Sequence, residues 1–201
     1  FEHWALSAEL RPLPGERDRN FHVYTADQGE FVLKFANADD DAGILDLQDA
    51  ALAFLAREDP PLPVPRLVPT MDGRQVAEAT IDGTAHAVRL LTWLPGQPMA
   101  VVAPHTPALL RQAGESLGRL TRALAGFSHP AAQRTLKWDL AAAGWIGEHA
   151  GRIDEPGRRA IVERIVARFD RVVAPALASL RSGIVHNDAN DHNLLVTFAP
   201  D

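Results

Sequence analysis

The 201-residue chain is 46% hydrophobic and 23% charged, long enough for one large domain or two small lobes. Its net charge of −6, from 20 basic and 26 acidic residues without a Lys/Arg run, argues against a nucleic-acid ligand. There are no cysteines, which removes disulfide and thiolate chemistry and fits a cytoplasmic protein.

No apolar run approaches the roughly 20 residues needed to span a membrane, so no membrane association is expected. No secretory leader is legible. The chain starts at Phe1 without a Met, which leaves a removed leader open.

The first third predicts strands. His22-Val23-Tyr24-Thr25 and Glu30-Phe31-Val32-Leu33-Lys34-Phe35 flank Asp27-Gln28-Gly29, a hairpin signal, and a polar loop over 14–20 precedes them. From Ile44 to Ala56 the pattern of Leu45, Leu47, Leu52, Phe54 and Leu55 predicts a helix, with Asp39-Asp40-Asp41 at its N-terminus. The prolines at 60, 61, 63 and 65 then predict an extended connector. Three strands follow over 66–70, 75–80 and 85–93, punctuated by Asp72-Gly73 and Asp82-Gly83.

Leu94-Pro95-Gly96-Gln97-Pro98 marks the boundary to a mostly helical remainder. Leu110, Ala113, Leu117, Leu120 and Leu124 share one helical face, and a second helix runs from Ile161 to Leu180, with a kink expected at Pro175. Ile184-Val185 and Leu194-Leu195-Val196 are short apolar runs around a polar segment. The expected organisation is α+β: an N-terminal lobe over 1–93 with an antiparallel sheet and one helix, and a helical lobe over 94–201.

The polar segment, His186-Asn187-Asp188-Ala189-Asn190-Asp191-His192-Asn193, has seven bonding side chains in eight positions. A loop of that polarity between apolar runs is where a site is sought. Asp188 and Asn193 stand five apart, so a tight loop can turn both toward one centre. Phosphoryl transfer uses such a pair: a carboxylate takes the acceptor's proton, and an amide oxygen helps hold Mg²⁺ against the phosphates. Two other readings stay open. One is an Asx-rich turn that only satisfies its own backbone. The other is a metal site from His186 and His192, whose separation matches no common zinc spacing.

His-x-Asp-x-x-x-x-Asn between apolar strands resembles the catalytic loop of aminoglycoside phosphotransferases and related small-molecule kinases of the protein-kinase-like fold. The string HNDANDHNLLV is similar to the hydroxylysine-kinase-like subfamily, which includes kinase modules fused to class-III aminotransferases. The resemblance extends along the chain. Residues 16–21 resemble the nucleotide-covering loop, Phe31-Val32-Leu33-Lys34 the strand with the phosphate-binding lysine, and Leu91-Thr92-Trp93-Leu94-Pro95-Gly96 the hinge that receives adenine. His129-Pro130-Ala131-Ala132 and Lys137-Trp138-Asp139-Leu140 resemble parts of the helical lobe.

The resemblance implies ATP and Mg²⁺, with a small hydroxylated amine, hydroxylysine-like or aminoglycoside-like, as acceptor. It implies Asp188 as catalytic base, Asn193 as metal ligand and Lys34 as phosphate clamp. Asn20 would cover the phosphates, and Thr92, Trp93 and Leu94 would line the base site. His186 would brace the loop. In the helix after Lys34, Gln48 stands where the family has a glutamate partner for that lysine; Asp46 and Asp49 are expected on the wrong face. A further Mg²⁺-binding Asp is expected roughly 15–20 residues past Asn193, beyond Asp201, so the chain alone is not expected to be a competent catalyst. The other reading of the whole is a non-catalytic kinase-like module that binds nucleotide or a partner.

Overall fold

The computed structural model describes residues 2–15, 17–134, 136 and 138–198. Glu16 of the expected covering loop, Lys137 of the helical-lobe motif and the terminal Asp201 lie outside the described residues. Two compact units divide the chain: residues 1–132 with 188–201, and residues 133–187.

The first unit is built on an antiparallel sheet. Strand β1 (Ala8–Leu13) precedes β2 (Arg19–Thr25) and β3 (Glu30–Phe35), the expected hairpin. Helix α1 (Ala42–Glu58) follows, then β4 (Ala77–Ile81) and β5 (Thr84–Thr92). The strand order is β1-β2-β3-β5-β4. Asp82 and Gly83 join β4 to β5 with φ of 51° and 79°, the left-handed pair that a two-residue hairpin turn requires. Asp41 caps α1 by accepting from the Gly43 N–H at 2.7 Å, so the acidic cluster does mark the helix start.

The strand expected over 66–70 shrinks to a single bridge between Leu67 and Leu91. Pro65 and Pro69 bracket that segment and remove donors that a full ladder needs. It still docks on the sheet, with Val68 N–H donating to Leu90 O and Thr92 N–H to Arg66 O, both at 2.9 Å.

Alternation along the strands separates two faces of the sheet. One face forms the core of Val23, Leu33, Ala77, Val88 and Leu90, joined by Phe21, Phe31 and Phe35. Trp4, from an N-terminal 3-10 turn, closes this core, and its indole N–H donates to Val68 O at 2.9 Å. The opposite face carries Asn20, Lys34 and Arg89, cross-strand neighbours in one row.

Beyond the sheet, β6 (Gln97–Pro98) pairs antiparallel with β7 (Leu195–Val196). Helix α2 (Pro107–Ala123) begins at a Thr106 cap and carries the expected apolar face. Arg119 of α2 holds Asp59, just past α1, through two bonds of 2.6 and 2.5 Å. That pairing and its hydrogen bonds hold Asp59 below the usual aspartate range, against some loss of hydration.

The second unit contains α3 (Trp145–His149), α4 (Pro156–Arg168) and α5 (Ala174–Leu177). Glu155 caps α4 with bonds from Gly157 and Arg158 N–H, both at 2.7 Å. The long helix expected over 161–180 is interrupted by a π turn at Phe169–Val173. Pro175 has no N–H and its ring would press on the Arg171 carbonyl, so a wider turn just before it relieves both faults. The strand expected at Ile184-Val185 does not form, and these residues are irregular. No helix among the described residues is long and apolar enough to cross a membrane.

The Asp59–Arg119 tie predicts a pH dependence. A carboxylate with a depressed folded-state pKa stabilises the fold above its unfolded pKa of about 4 and loses that contribution as pH falls through the folded value. Thermal unfolding of Asp59→Asn should therefore fall below the parent at pH 7 and converge on it toward pH 3.

Candidate active site

The polar face of the sheet places Lys34 between Asn20 on β2 and Arg89 on β5. Direct cross-strand partners point to the same side, so the three side chains share one patch. Lys34 Nζ lies 3.1 Å from Asp18 Oδ2, at the start of the hairpin. Arg17 beside it pairs with Asp40 at 2.8 Å, which ties the loop before β2 to the turn that leads into α1. Asn20 Nδ2 donates to Pro14 O across the same loop, at 3.4 Å.

Helix α1 meets this patch differently from the sequence expectation. Gln48 Oε1 accepts from Arg89 Nη1 at 3.0 Å, so Gln48 serves Arg89. Asp49 is not on the wrong face: it is 4% exposed and accepts from the same Arg89 nitrogen at 2.9 Å. Loss of hydration pushes the Asp49 carboxyl above its ordinary range, while the Arg89 hydrogen bond and the charges of Arg89 and Lys34 oppose that shift. The expectation failed because α1's own periodicity cannot reveal a cation that β5 buries against it. Asp46 is exposed and bonds His129 at 3.0 Å.

One row further along the sheet, His22, Val32 and Leu91 are cross-strand neighbours. His22 is stacked on Trp93, with ring centroids 3.5 Å apart and planes 9° apart, and its Nε2 meets Glu30 Oε2 at 2.7 Å. Trp93 thus walls the His22 end of the polar face. Of the expected hinge groups, the Thr92 N–H donates to Arg66 O and the Trp93 N–H to Glu30 O. Among the described residues that leaves Leu94 as the hinge position whose N–H has no such engagement.

The catalytic-loop candidate is assembled by short bonds. Asn193 Nδ2 donates to Asp188 Oδ2 at 2.8 Å and to Asp188 O at 2.7 Å. Asn190 Nδ2 donates to Asp188 Oδ1 at 2.9 Å, and Asn190 Oδ1 accepts from the His192 N–H at 3.0 Å. Asn187 enters the loop with φ of 61°, a left-handed conformation that asparagine tolerates. The Asx turn weighed as a rival therefore exists, and it also orients Asp188. A carboxylate only accepts, so the amide nitrogen of Asn193 must face it, which turns the Asn193 oxygen outward.

The loop is held from behind by the segment after the hinge. Met99 N–H donates to Leu194 O at 2.8 Å and Ala100 N–H to Asp191 O at 2.9 Å. Gly96 makes this approach possible: its φ is 132°, and a Cβ there would lie 2.9 Å from Val196 O. Asp188, Asn193, Lys34, Asn20, Thr92, Trp93 and Leu94 all belong to the first unit. Among the described residues no group of three or more His, Asp or Glu side chains is placed to hold a metal ion.

The profile of the phosphotransferase enzyme family (APH) matches residues 9–201. The chain belongs to this family. It is 32% identical to hydroxylysine kinase from Danio rerio over 96% of this chain and 57% of that protein. It is also 32% identical to hydroxylysine kinase from Xenopus laevis, over 93% of this chain and 54% of that protein. The chain thus spans about half the length of the curated relatives it matches. Among solved structures, a microcompartment-associated aminopropanol kinase superposes with a TM-score of 0.66 at 21% identity, covering 96% of this chain and 62% of that one. Amicoumacin kinase in complex with AMP-PNP, Ca²⁺ and Ami superposes at 0.62 with 14% identity, covering 90% of this chain and 52% of that one. The fold is the α+β fold of these protein-kinase-like small-molecule kinases.

Because Gly96 sits against the Val196 carbonyl, Gly96→Ala should strain the turn by more than about 1 kcal/mol. Amide exchange at Met99 and Ala100 should then speed up, while exchange in β2 and β3 stays as in the parent.

Proposed function

We propose that the protein is an ATP-dependent kinase that transfers the γ-phosphoryl group to a hydroxyl of a small amino alcohol, with a hydroxylysine-like acceptor favoured. The observation that carries this reading is the Asn193–Asp188 bond, 2.8 Å from amide nitrogen to carboxylate. It fixes a carboxylate that can take a proton beside an amide oxygen that can face a cation. Family membership and the hydroxylysine kinase relatives support the same reading.

In this mechanism Asp188 accepts the proton of the acceptor hydroxyl as that oxygen bonds to the γ-phosphorus, and the bond to the β-bridging oxygen breaks to release ADP. Lys34 steadies the α- and β-phosphates, with Asn20 beside it on β2. Val32 and Leu91 supply an apolar surface next to the hinge for the base, and Leu94 N–H a donor. Residues 1–93 serve as the nucleotide lobe, and the chain from 94 onward carries the catalytic loop.

The residues present fit Mg²⁺. The outward oxygen of Asn193 is a hard donor, and Mg²⁺ usually keeps several waters and substrate phosphates, taking only one or two protein ligands. When bound, the ion would neutralise charge on the phosphates.

The test is ADP release by the full-length protein against a panel of hydroxylated amines that includes 5-hydroxylysine. Asp188→Asn should lower kcat by about 100-fold or more, the scale of lost general-base catalysis. Equal turnover by parent and variant would remove Asp188 from the base role. Mg²⁺-dependent nucleotide binding without turnover of any panel member would favour a binding module instead.

A further inference from the structure

The two edges of β5 are supported differently where it enters the hinge. Toward β3, Leu91 is the cross-strand partner of Val32, and the Trp93 N–H donates to Glu30 O at 3.1 Å. On the other edge, β4 reaches only to the pair of Ala77 with Val88. From Leu90 to Thr92 that edge is met by residues 66–68. Val68 N–H donates to Leu90 O and Thr92 N–H to Arg66 O, both at 2.9 Å. The Arg66 N–H donates to Thr92 Oγ1, also at 2.9 Å. Arg66 thus grips Thr92 through both its backbone and its side chain.

The segment that carries Arg66 is not a strand. Its approach has prolines at 60, 61, 63 and 65. Proline keeps its carbonyl but has no N–H, so this loop holds more acceptors than donors. A guanidinium is the reverse, with five donors and no acceptor. Arg66 Nη2 reaches back along its own loop to Pro60 O at 2.8 Å, Leu62 O at 2.9 Å and, more weakly, Asp59 O at 3.4 Å. Asp59 is the C-cap of α1, where the unpaired carbonyls of a helix favour a cation. The side chain therefore folds the proline loop around itself and fastens it to the end of α1. The backbone of the same residue fastens the loop to the hinge.

We propose that Arg66 is a positioning residue for the nucleotide base. Its guanidinium fixes the proline loop at the C-terminal end of α1, and the loop fixes Thr92, which stands between the Leu91 surface and the Leu94 donor. Arg66 acts through Thr92 and need not touch the nucleotide. This inference rests on the nucleotide-binding reading above. It adds that affinity for the base, and not for the phosphates, depends on this side chain.

Amide exchange of the unliganded full-length protein tests the coupling, and ligand affinities test its consequence. The ligands are adenosine, Mg²⁺–AMP-PNP and Mg²⁺–tripolyphosphate, a phosphate chain without a base. Arg66→Met keeps the apolar stem and removes every donor of the side chain. Arg66→Lys keeps a charge that can meet a carbonyl, and it carries the same comparisons at smaller size should Arg66→Met not fold. Lys34→Met is the reference for the phosphate side.

In Arg66→Met, exchange at Val68 and Thr92 should speed up by about ten-fold, the scale of one hydrogen bond to a charged group, with β2 and β3 as in the parent. Adenosine and Mg²⁺–AMP-PNP should weaken by a common factor, again about ten-fold, while tripolyphosphate binds as in the parent. Arg66→Lys should recover part of each loss. Lys34→Met should do the converse, weakening tripolyphosphate and leaving adenosine unchanged. Parent-like exchange at Thr92 in Arg66→Met overturns the coupling, whatever the protein binds. Faster exchange with unchanged adenosine affinity overturns the positioning role, and so does an equal weakening of tripolyphosphate, the mark of a general structural defect. If the parent binds none of the three ligands, the nucleotide reading fails and takes the positioning role with it, whereas the exchange result reports on the coupling by itself.

Discussion

One buried guanidinium joins the helix to the sheet in the first unit. Arg89 stands in the middle of β5 at 3% exposure, where an unpaired charge would cost several kcal/mol. That constraint dictates its surroundings. Asp49 of α1 turns inward to meet it, although a helix packed on a sheet ordinarily turns apolar residues there, and the exposed Gln48 reaches it through its side-chain oxygen. Once α1 is docked by this pair, the cross-strand neighbour Lys34 is not needed as the anchor, and its ammonium meets Asp18 of the loop before β2.

The two faces of the sheet divide the labour. The face with Val23, Leu33 and Leu90 excludes water and fixes strand register, because a slip of one residue would send that whole set to the polar side. Fixed register is what places Asn20, Lys34 and Arg89 in a single row on the other face. The same logic ties the aromatic end of that face: His22 is held between Trp93, Tyr24 and Glu30, so the hinge begins from a rigid wall.

The polar loop around Asp188 depends on a different device. Its side chains bond one another, with Asn190 and Asn193 both spent on Asp188, but the loop's place comes from main-chain bonds to the segment just after the hinge. Gly96 permits that segment to lie against β7, so hinge and loop share one short support. The N–H groups that meet the loop, those of Met99 and Ala100, open a 3-10 turn over Met99–Val101, where no partner within the turn claims them.

Local rules made much of this legible in the sequence. Alternating apolar residues and Asp-Gly turns identify the hairpins, and an acidic cap marks α1. The spacing of Asp188 and Asn193 in a polar loop identifies a carboxylate–amide pair, because adjacency along the chain brings them together. Long-range contacts were not legible. That Arg89, forty residues from Asp49 along the chain, would claim both Gln48 and Asp49 follows from burial across two elements, and neither element's pattern encodes the other's charge. The bridge at Leu67, the Trp4 plug and the capture of Lys34 by Asp18 are of the same kind. The sequence by itself determined most of the elements and where the carboxylate–amide pair of Asp188 and Asn193 lies. Only the tertiary structure decided which charges meet, since a buried ion pair is settled by desolvation once the surfaces have closed.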